Sequence, residues 1–558
     1  MDITLHKQGG MCGIFTILNN QYDKTTVETN FAKGRYRGPE HSQLLDVGHK
    51  IKMGFHRLAI NGLNMESTQP ISHNNIWLIC NGEIYNYKKL YELMNVIPNT
   101  QSDCEVIVWL YEKYGIEQCL QMLDGVFAFV LLDQRIQNAE SRVYIARDPY
   151  GVRPLYIMED NMGEHMDTQL TFASEMKMLR GLSSSGQIRQ FSPGTWSSYV
   201  LTTMVNAKWT LENNDVAYHK TGFCELFSNV QHIEIIKNIR ERLISAVEKR
   251  CCTTERPIAC LLSGGLDSSL ITALVSQYHK QNGLPTIETY SIGLEGSVDL
   301  QYAKMVAEYV GTKHTEIILI ERDFCDAIPE VIRAIESYDT TTVRASIGNY
   351  LLGKYISATS HAKVIFNGDG SDELFGGYLY TKKAPDSIEF DKECRRLLRE
   401  IHAFDVLRSD KSISSHGLEP RTPFLDRAFA QYVLSLPCDL RFQPNMIEKY
   451  WLRQAFAMDE LLPMEVLWRK KEAFSDGVSA TSRSLYEILQ EHAETMVSGE
   501  MNNSPWKHNP PATKEQYYYR KVFEDEYENC GGVVPHMWMP LYVDAKDASA
   551  RTLAIYDE

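Results

Sequence analysis

Over its first two hundred residues the chain alternates short apolar stretches with turns. Residues 13–18, 52–60, 76–84, 126–132 and 142–146 are rich in β-branched and aromatic side chains and read as strands. Between them Val106, Ile107, Leu110 and Tyr111 recur at helical spacing after the polar Ser102-Asp103 pair, which predicts a helix over 103–114. Asp148-Pro149-Tyr150-Gly151 is a turn. Many strands with few helices predict a sheet-rich α+β unit. From residue 206 the periodicity fades into a polar stretch holding Asn213-Asn214-Asp215, and residues 206–233 are expected to be a linker. Beyond it the rhythm changes. Helical patterns over 234–250, 268–280 and 300–310 alternate with apolar strands over 258–262, 286–293 and 363–366. Such alternation predicts parallel pairing, right-handed crossovers and a doubly wound sheet. Residues 391 to about 500 read as mostly helical, and 501–514, with Pro505, Pro510 and Pro511, as a loop.

Composition narrows the classes. The 558 residues are 44% hydrophobic and 23% charged, as an ordinary folded chain is, so disorder and fibrous repeats are excluded. Lysine and arginine number 57 against 72 acidic residues, a net charge of −15 with no long basic run. That balance argues against nucleic acid or a membrane surface as partner. The longest apolar run, 126–132, is far short of the ~20 residues that span a bilayer, and residues 1–10 lack the apolar core of a signal peptide. None of the 12 cysteines forms a C-x-x-C pair, so a zinc ribbon or redox dithiol has no support. The expected location is cytoplasmic.

The sharpest local string is Leu262-Ser263-Gly264-Gly265-Leu266-Asp267-Ser268-Ser269, where a buried strand ends and a helix opens. Free N–H groups at a helix start, beside a flexible glycine pair, cradle phosphate oxygens. An acidic Asp267 within an anion cradle makes sense if it holds a cation, and Mg²⁺ on nucleotide phosphates is the usual one. The loop is not a Walker A sequence, and Gly368-Asp369-Gly370 lacks the third glycine of a dinucleotide fingerprint.

A second signal lies at Met11-Cys12-Gly13-Ile14-Phe15. A cysteine exposed by removal of the preceding methionine carries a thiol and, in its α-amine, a base for that thiol. Arg57-Leu58-Ala59-Ile60-Asn61 ends a strand with a fixed cation. Asn81-Gly82-Glu83 offers a side-chain amide beside a glycine N–H, the two donors an oxyanion hole needs. Asp103 opens a helix where it can face an ammonium.

These strings resemble two families joined end to end. Ser263 to Ser268 are similar to the loop of ATP pyrophosphatases, which split ATP between its α and β phosphates. The first two hundred residues resemble the N-terminal-nucleophile glutamine amidotransferases, which implies an αββα sandwich over 12–205, followed by an α/β doubly wound ATP-pyrophosphatase domain with added helices over 234–545. Residues 1–11 are then an extension expected to be absent from the active form. The combination, with Met122–Phe129, Asp148–Leu155, Tyr338–Ser346, Pro423–Asp426, Trp468–Gly477 and Ser549–Leu553, resembles the asparagine synthetase family, closest to its eukaryotic glutamine-hydrolysing form.

The resemblance implies a reaction and roles. Glutamine supplies ammonia, and ATP activates aspartate as a β-aspartyl-AMP, giving asparagine, glutamate, AMP and pyrophosphate. Cys12 attacks the glutamine amide; Asn81 and Gly82 hold the oxyanion; Arg57 to Asn61, Asn81, Gly82, Glu83 and Asp103 bind glutamine. Leu262, Ser263, Gly265, Asp267, Ser268, Ile292, Asn367 and Gly368 bind ATP, and Asp267, Asp372 and Asp426 hold Mg²⁺. Lys471, Thr341 and Arg344 line the pyrophosphate and aspartate region. The partners are glutamine, aspartate and ATP, and the family allows a homodimer. Asp369 stands where the family has a glutamate, the proposed base on the attacking ammonia, so the carboxylate is kept but drawn back by one methylene. Asn367 stands in place of a serine. Ten residues precede Met11. An ammonia-only synthetase, should they stay attached, and a degenerate non-catalytic homologue are the alternatives.

Overall fold

The computed structural model describes residues 11–136, 141–161, 167–202, 207–226, 230–471, 477–479, 483–499, 504–549 and 552–553. They form two compact units, the first taking in the described residues up to 220 with 253–256 and 414–419, the second those of 221–252, 257–413 and from 420 onward.

The first unit contains two six-stranded antiparallel sheets. One runs, in spatial order, Gln187–Gln190, Tyr156–Asp160, Gln169–Ala173, Gly13–Leu18, Ile51–Arg57 and His41–Gly48. The other runs Lys208–Ala217, Thr195–Thr202, Arg142–Arg147, Gly125–Asp133, Ile76–Ile84 and Ile71–His73. Alternation along the strands builds the layers, because successive side chains leave opposite faces of a sheet. Ile79, Ala128, Val130 and Leu132 pack between the sheets against Ile14, Met53 and Phe55. Their neighbours Leu78, Cys80, Phe129 and Leu131 face the helices Tyr87–Met94 and Val106–Met122. On the far side Phe31, from the helix Lys24–Ala32, stacks on His56 of the other sheet. The layers are therefore α, β, β, α, as expected.

One expectation fails here. Residues 208–217 lie in the segment read as linker, yet Lys208–Ala217 is a strand paired with Thr195–Thr202. It stands at the sheet margin, where one side of the strand is open and polar residues such as Glu212 and Asn213 are tolerated.

The second unit is built on a five-stranded sheet ordered Lys313–Leu319, Glu288–Leu294, Ile258–Leu261, Val364–Phe366 and Glu419–Arg421, with the first four strands parallel. The chain enters at Ile258–Leu261, winds outward one way through the helices Leu266–Gln281 and Val298–Val310, then returns to the other side of the first strand at Val364–Phe366. The strand order reverses there, and in doubly wound sheets the crevice beyond the carboxyl ends at that switch is where ligands bind. Helices supply the rest, among them Thr340–Thr359, Ser387–Glu400, Asp405–Ser414, Leu485–Met496 and Lys514–Glu526. Among the described residues no helix is long and apolar enough to cross a membrane.

Candidate active sites

In the first unit strand register brings the sequence-predicted residues together. Gly13 pairs with His56, so one step back along the strand Cys12 stands across from Arg57. The Cys12 thiol donates to the carbonyl of Leu58 at 3.3 Å. Burial pushes the thiol well above its ordinary range; the Leu58 contact works against this, while Glu419 and Glu83 add to it. Joined to Met11, the group is a protonated thiol. The missing base is the point at which a free α-amine would act. Met11 itself is buried, its sulfur 3.0 Å from Arg37 Nη2.

Asn81 and Glu83 leave the strand Ile76–Ile84 on the same face as Ile79, the face between the sheets. Asn81 is fully buried; its Nδ2 donates to Ser174 Oγ at 3.4 Å, and its Oδ1 has no hydrogen-bond partner among the described residues. Gly82 is glycine because a Cβ would lie 2.2 Å from the carbonyl of Val126 on the paired strand. Asn61 donates to Glu83 at 2.6 Å, and Asp103 accepts the backbone N–H of Ile84 at 2.7 Å. Arg57 is buried and, among the described residues, its guanidinium donates to uncharged groups, Thr68 Oγ1 at 2.9 Å, the carbonyls of Asn64 at 2.7 Å and Gly62, and Met65 Sδ at 3.9 Å. Ala59 and Ile60 are buried alongside, the Ala59 N–H donating to Glu40. Sequence reading missed Arg37, which donates from Nε to the Cys12 carbonyl at 3.0 Å and pairs with Glu175 at 2.7 Å. The Arg37-Gly38-Pro39 string was its available signal: a Cβ on Gly38 would strike the backbone of His56 and Arg57.

In the second unit the cleft lies at the switch point. Leu262, Ser263, Gly265, Asp267, Ser268, Ile292, Thr341, Asn367, Gly368, Asp369, Asp372 and Lys471 all line it. Gly264 holds the loop's turn, with φ +74° and no room for a Cβ against Tyr302 and Ala303. Gly265 differs: a Cβ there would meet only Ser263 Oγ at 3.4 Å, so the space before this helix start is open, as a phosphate cradle requires. Ser268 Oγ accepts the Ser263 N–H at 3.2 Å and lies 3.0 Å from Ser263 Oγ, which tightens the loop.

The electrostatics centre on two carboxylates and two lysines. Lys449 contacts Asp267 and, at 2.7 Å, Asp372; Lys471 lies 2.7 Å from Asp372 and 4.0 Å from Asp267. Burial alone would raise the Asp372 pKa, but the two ammoniums hold its carboxyl well below the usual carboxylate range. Asp267 Oδ1 is buried without a hydrogen-bond partner among the described residues. Behind this pair sit Glu373, Asp405, Arg408 and Tyr378. Glu373 is pushed well up by burial and by Asp405 and Asp372, and its Oε1 accepts the Tyr378 hydroxyl at 2.5 Å.

Two expected residues stand elsewhere. Asp426 caps the helix Arg427–Ser435 through the N–H groups of Ala428 and Phe429, and its other oxygen takes Arg250 at 2.8 Å and Lys249. Both of its oxygens are thus engaged by the helix cap and the two cations. Among the described residues no group of three or more His, Cys, Asp and Glu side chains could hold a metal ion. Arg344 does not line the cleft. On its helix Thr341, Thr342, Ala345 and Asn349 share the cleft face, and the 3.6 period turns Arg344 away. There it binds Glu515 at 2.6 and 2.9 Å and Asp547 at 2.7 and 3.0 Å. Residues 472–476 of the Trp468–Gly477 string lie outside the described residues. Lys449, Asp405, Arg408 and Trp538 were missed, and no local string marks them. Lys449 sits alone at φ +58° ahead of the helix Tyr450–Phe456, and Trp538 is held by its N–H on Asp339 Oδ1 at 2.7 Å.

A layered α, β, β, α unit with a cysteine facing a buried arginine, followed by a parallel sheet with a phosphate-type loop, defines a glutamine amidotransferase fused to an ATP-dependent synthetase. The glutamine amidotransferase domain pattern matches residues 11–224, and the asparagine synthase pattern residues 238–392 and 382–548. The glutamine-hydrolysing asparagine synthetase of Gallus gallus is 42% identical over 570 residues, covering 98% of this chain and 99% of that one. That of Homo sapiens is 41% identical over 569 residues with the same coverage. The chain belongs to the asparagine synthetase family.

Proposed function

We propose that the chain makes asparagine from aspartate, with glutamine as nitrogen donor and ATP as the activating co-substrate. The observation that carries this reading is the match to glutamine-hydrolysing asparagine synthetases along almost the whole chain. In the first unit Cys12 attacks the glutamine amide, and Asn81 Nδ2 with the Gly82 N–H receives the oxyanion. The buried Arg57, which meets no carboxylate, takes the α-carboxylate of glutamine, and Glu83 and Asp103 take its α-amine.

In the second unit the loop from Ser263 to Ser268 holds the phosphates, Leu262, Ile292, Asn367 and Gly368 the nucleoside, and Lys449 and Lys471 the departing pyrophosphate. Thr341, whose buried hydroxyl has no partner among the described residues, faces aspartate. Mg²⁺ fits this donor set, because it is held by one or two carboxylates together with substrate phosphates. Asp267 and Asp372 are those carboxylates, and Asp267 Oδ1 is the unpartnered oxygen. The ion would neutralise phosphate charge during adenylation. Asp369 accepts a proton from the attacking ammonia. The setting is a reducing cytoplasm, in keeping with twelve free cysteines.

The working chain begins at Cys12. Bonded to Met11, the Cys12 nitrogen is an amide without basicity, and the thiol has no base of its own. Intact-mass measurement on protein from its native host, paired with a glutaminase assay, tests this. A fully active species still carrying residues 1–11 would require another base. The whole reading is tested by asparagine formation with glutamine, then with an ammonium salt, while pyrophosphate is followed. Glutamine hydrolysis without aspartate-dependent pyrophosphate release would overturn it.

A further inference from the structure

The loop that carries Asp369 is held by two consecutive residues of one helix, Asp405–Ser414. Ser409 Oγ accepts the Asn367 side-chain amide at 2.6 Å, and Asn367 Oδ1 in turn accepts the Asp369 N–H at 3.3 Å. Arg408, one residue before Ser409, places Nη2 3.2 Å from Asp369 Oδ1 and Nη1 3.0 Å from Asp405 Oδ1, one helical turn back. The guanidinium thus spans two carboxylates from different parts of the chain. A planar fork can make both contacts at once, whereas an ammonium is a single point. Of the two oxygens of Asp369, Oδ1 is engaged by Arg408. Oδ2 is buried in the cleft wall and has no hydrogen-bond partner among the described residues. Asp405 lies in the first turn of its helix, where a negative charge is stabilised by the helix dipole. The far end of the bridge is therefore anchored to rigid structure.

We propose that Arg408 is the positioning residue for Asp369: tied to Asp405, it holds Oδ1 and leaves Oδ2 presented to the nitrogen nucleophile. An aspartate reaches less far than a glutamate, so its oxygen must be fixed by a neighbour, and the Asn367–Ser409 contact fixes the backbone of the same residue. This inference rests on Asp369 being the base.

Two measurements on the full chain separate the possibilities: ammonium-dependent asparagine formation, and aspartate-dependent ATP–pyrophosphate exchange, which precedes nitrogen attack. Asp369→Ala should slow asparagine formation by roughly 10²–10⁴-fold. Arg408→Met should slow it by up to roughly 10²-fold, the cost of a base misplaced by about an ångström, while exchange persists. In the Asp369→Ala background, Arg408→Met should add no more than about a twofold loss, because its partner is gone. Arg408→Lys keeps the cation but not the fork and should recover only part of the loss. Asp369→Ala at the parent rate would remove the base itself and with it the reading this rests on. A slow Asp369→Ala beside an unimpaired Arg408→Met would leave that reading standing and overturn the positioning role. Additive losses in the double variant, or exchange abolished in both Arg408 variants, would make Arg408 a residue of the fold and overturn it as well.

Discussion

In the first unit the site's buried cation, Arg57, donates to the neutral oxygens of Thr68, Gly62 and Asn64, whereas in the second Lys449 and Lys471 are matched to the carboxylates of Asp267 and Asp372. A buried cation without a carboxylate on its hydrogen-bonding groups is costly, and the glutamine carboxylate of the proposed function would supply one. The matched cluster is stable before any ligand arrives. Under the proposed function its lysines are placed in advance for the phosphate charge that develops, which is how electrostatic catalysis avoids reorganisation during reaction. One site is built around a single nucleophile with its charge balance left to the substrate, and the other around charges balanced in advance.

Substitutions at either centre test that contrast, beginning with the largest effect. Cys12→Ala should take glutamine-dependent synthesis to the limit of detection and leave ammonium-dependent synthesis largely intact; loss of both, in paired turnover assays, would contradict two separate sites. Asp267→Asn should do the reverse. Removing the charge proposed to hold Mg²⁺, worth several kcal/mol, should lower ATP–pyrophosphate exchange by roughly 10³-fold, while glutamine hydrolysis continues. Arg344→Met leaves the buried Glu515 and the half-buried Asp547 without their cation, so thermal or urea unfolding should register a loss of about 3–5 kcal/mol. Its expected signature is lost stability with the ATP KM of the folded protein unchanged, since Arg344 faces away from the cleft. Arg57→Gln should raise the glutamine KM by roughly ten- to a hundredfold, the worth of a hydrogen bond to a charged group, without altering ammonium-dependent turnover. Smallest of all, Asp369→Glu should stay within about tenfold of the parent rate, because the chemistry at position 369 is unchanged and only reach differs.

The two units also differed in how far their sequences could be read. Strands such as Gly13–Leu18 and Ile76–Ile84 stand where periodicity placed them, because one face of each is buried against the other sheet and alternation follows. The glutaminase residues fall in compact strings, since adjacent strand ends build that site. Lys208–Ala217 was hidden by its position at a sheet margin, where apolar residues are not demanded. Thr340–Thr359 is buried on most sides, so no stripe announces it as a helix. From local strings alone the synthetase cleft was most legible where the chain doubles back sharply, at Ser263–Ser268 and Asn367–Asp372; Ile292, Thr341 and Lys471 came from the family resemblance. Lys449, Arg408 and Trp538 arrive from segments far along the chain, and each is a lone residue whose meaning depends on what folding sets beside it. Arg344 and Asp426 present the opposite case: charged residues inside informative strings that stand away from the cleft lining, their charges engaged in ion pairs.

Arg37, which grips the Cys12 carbonyl, also places Nη1 3.0 Å from Ser414 Oγ, a hydroxyl 377 residues further on within the same unit. For a chain still emerging from the ribosome this sets an order of events. At roughly 5–20 residues per second, Ser414 follows Cys12 by about 20–80 s. During that interval the Arg37 support of the nucleophile is incomplete.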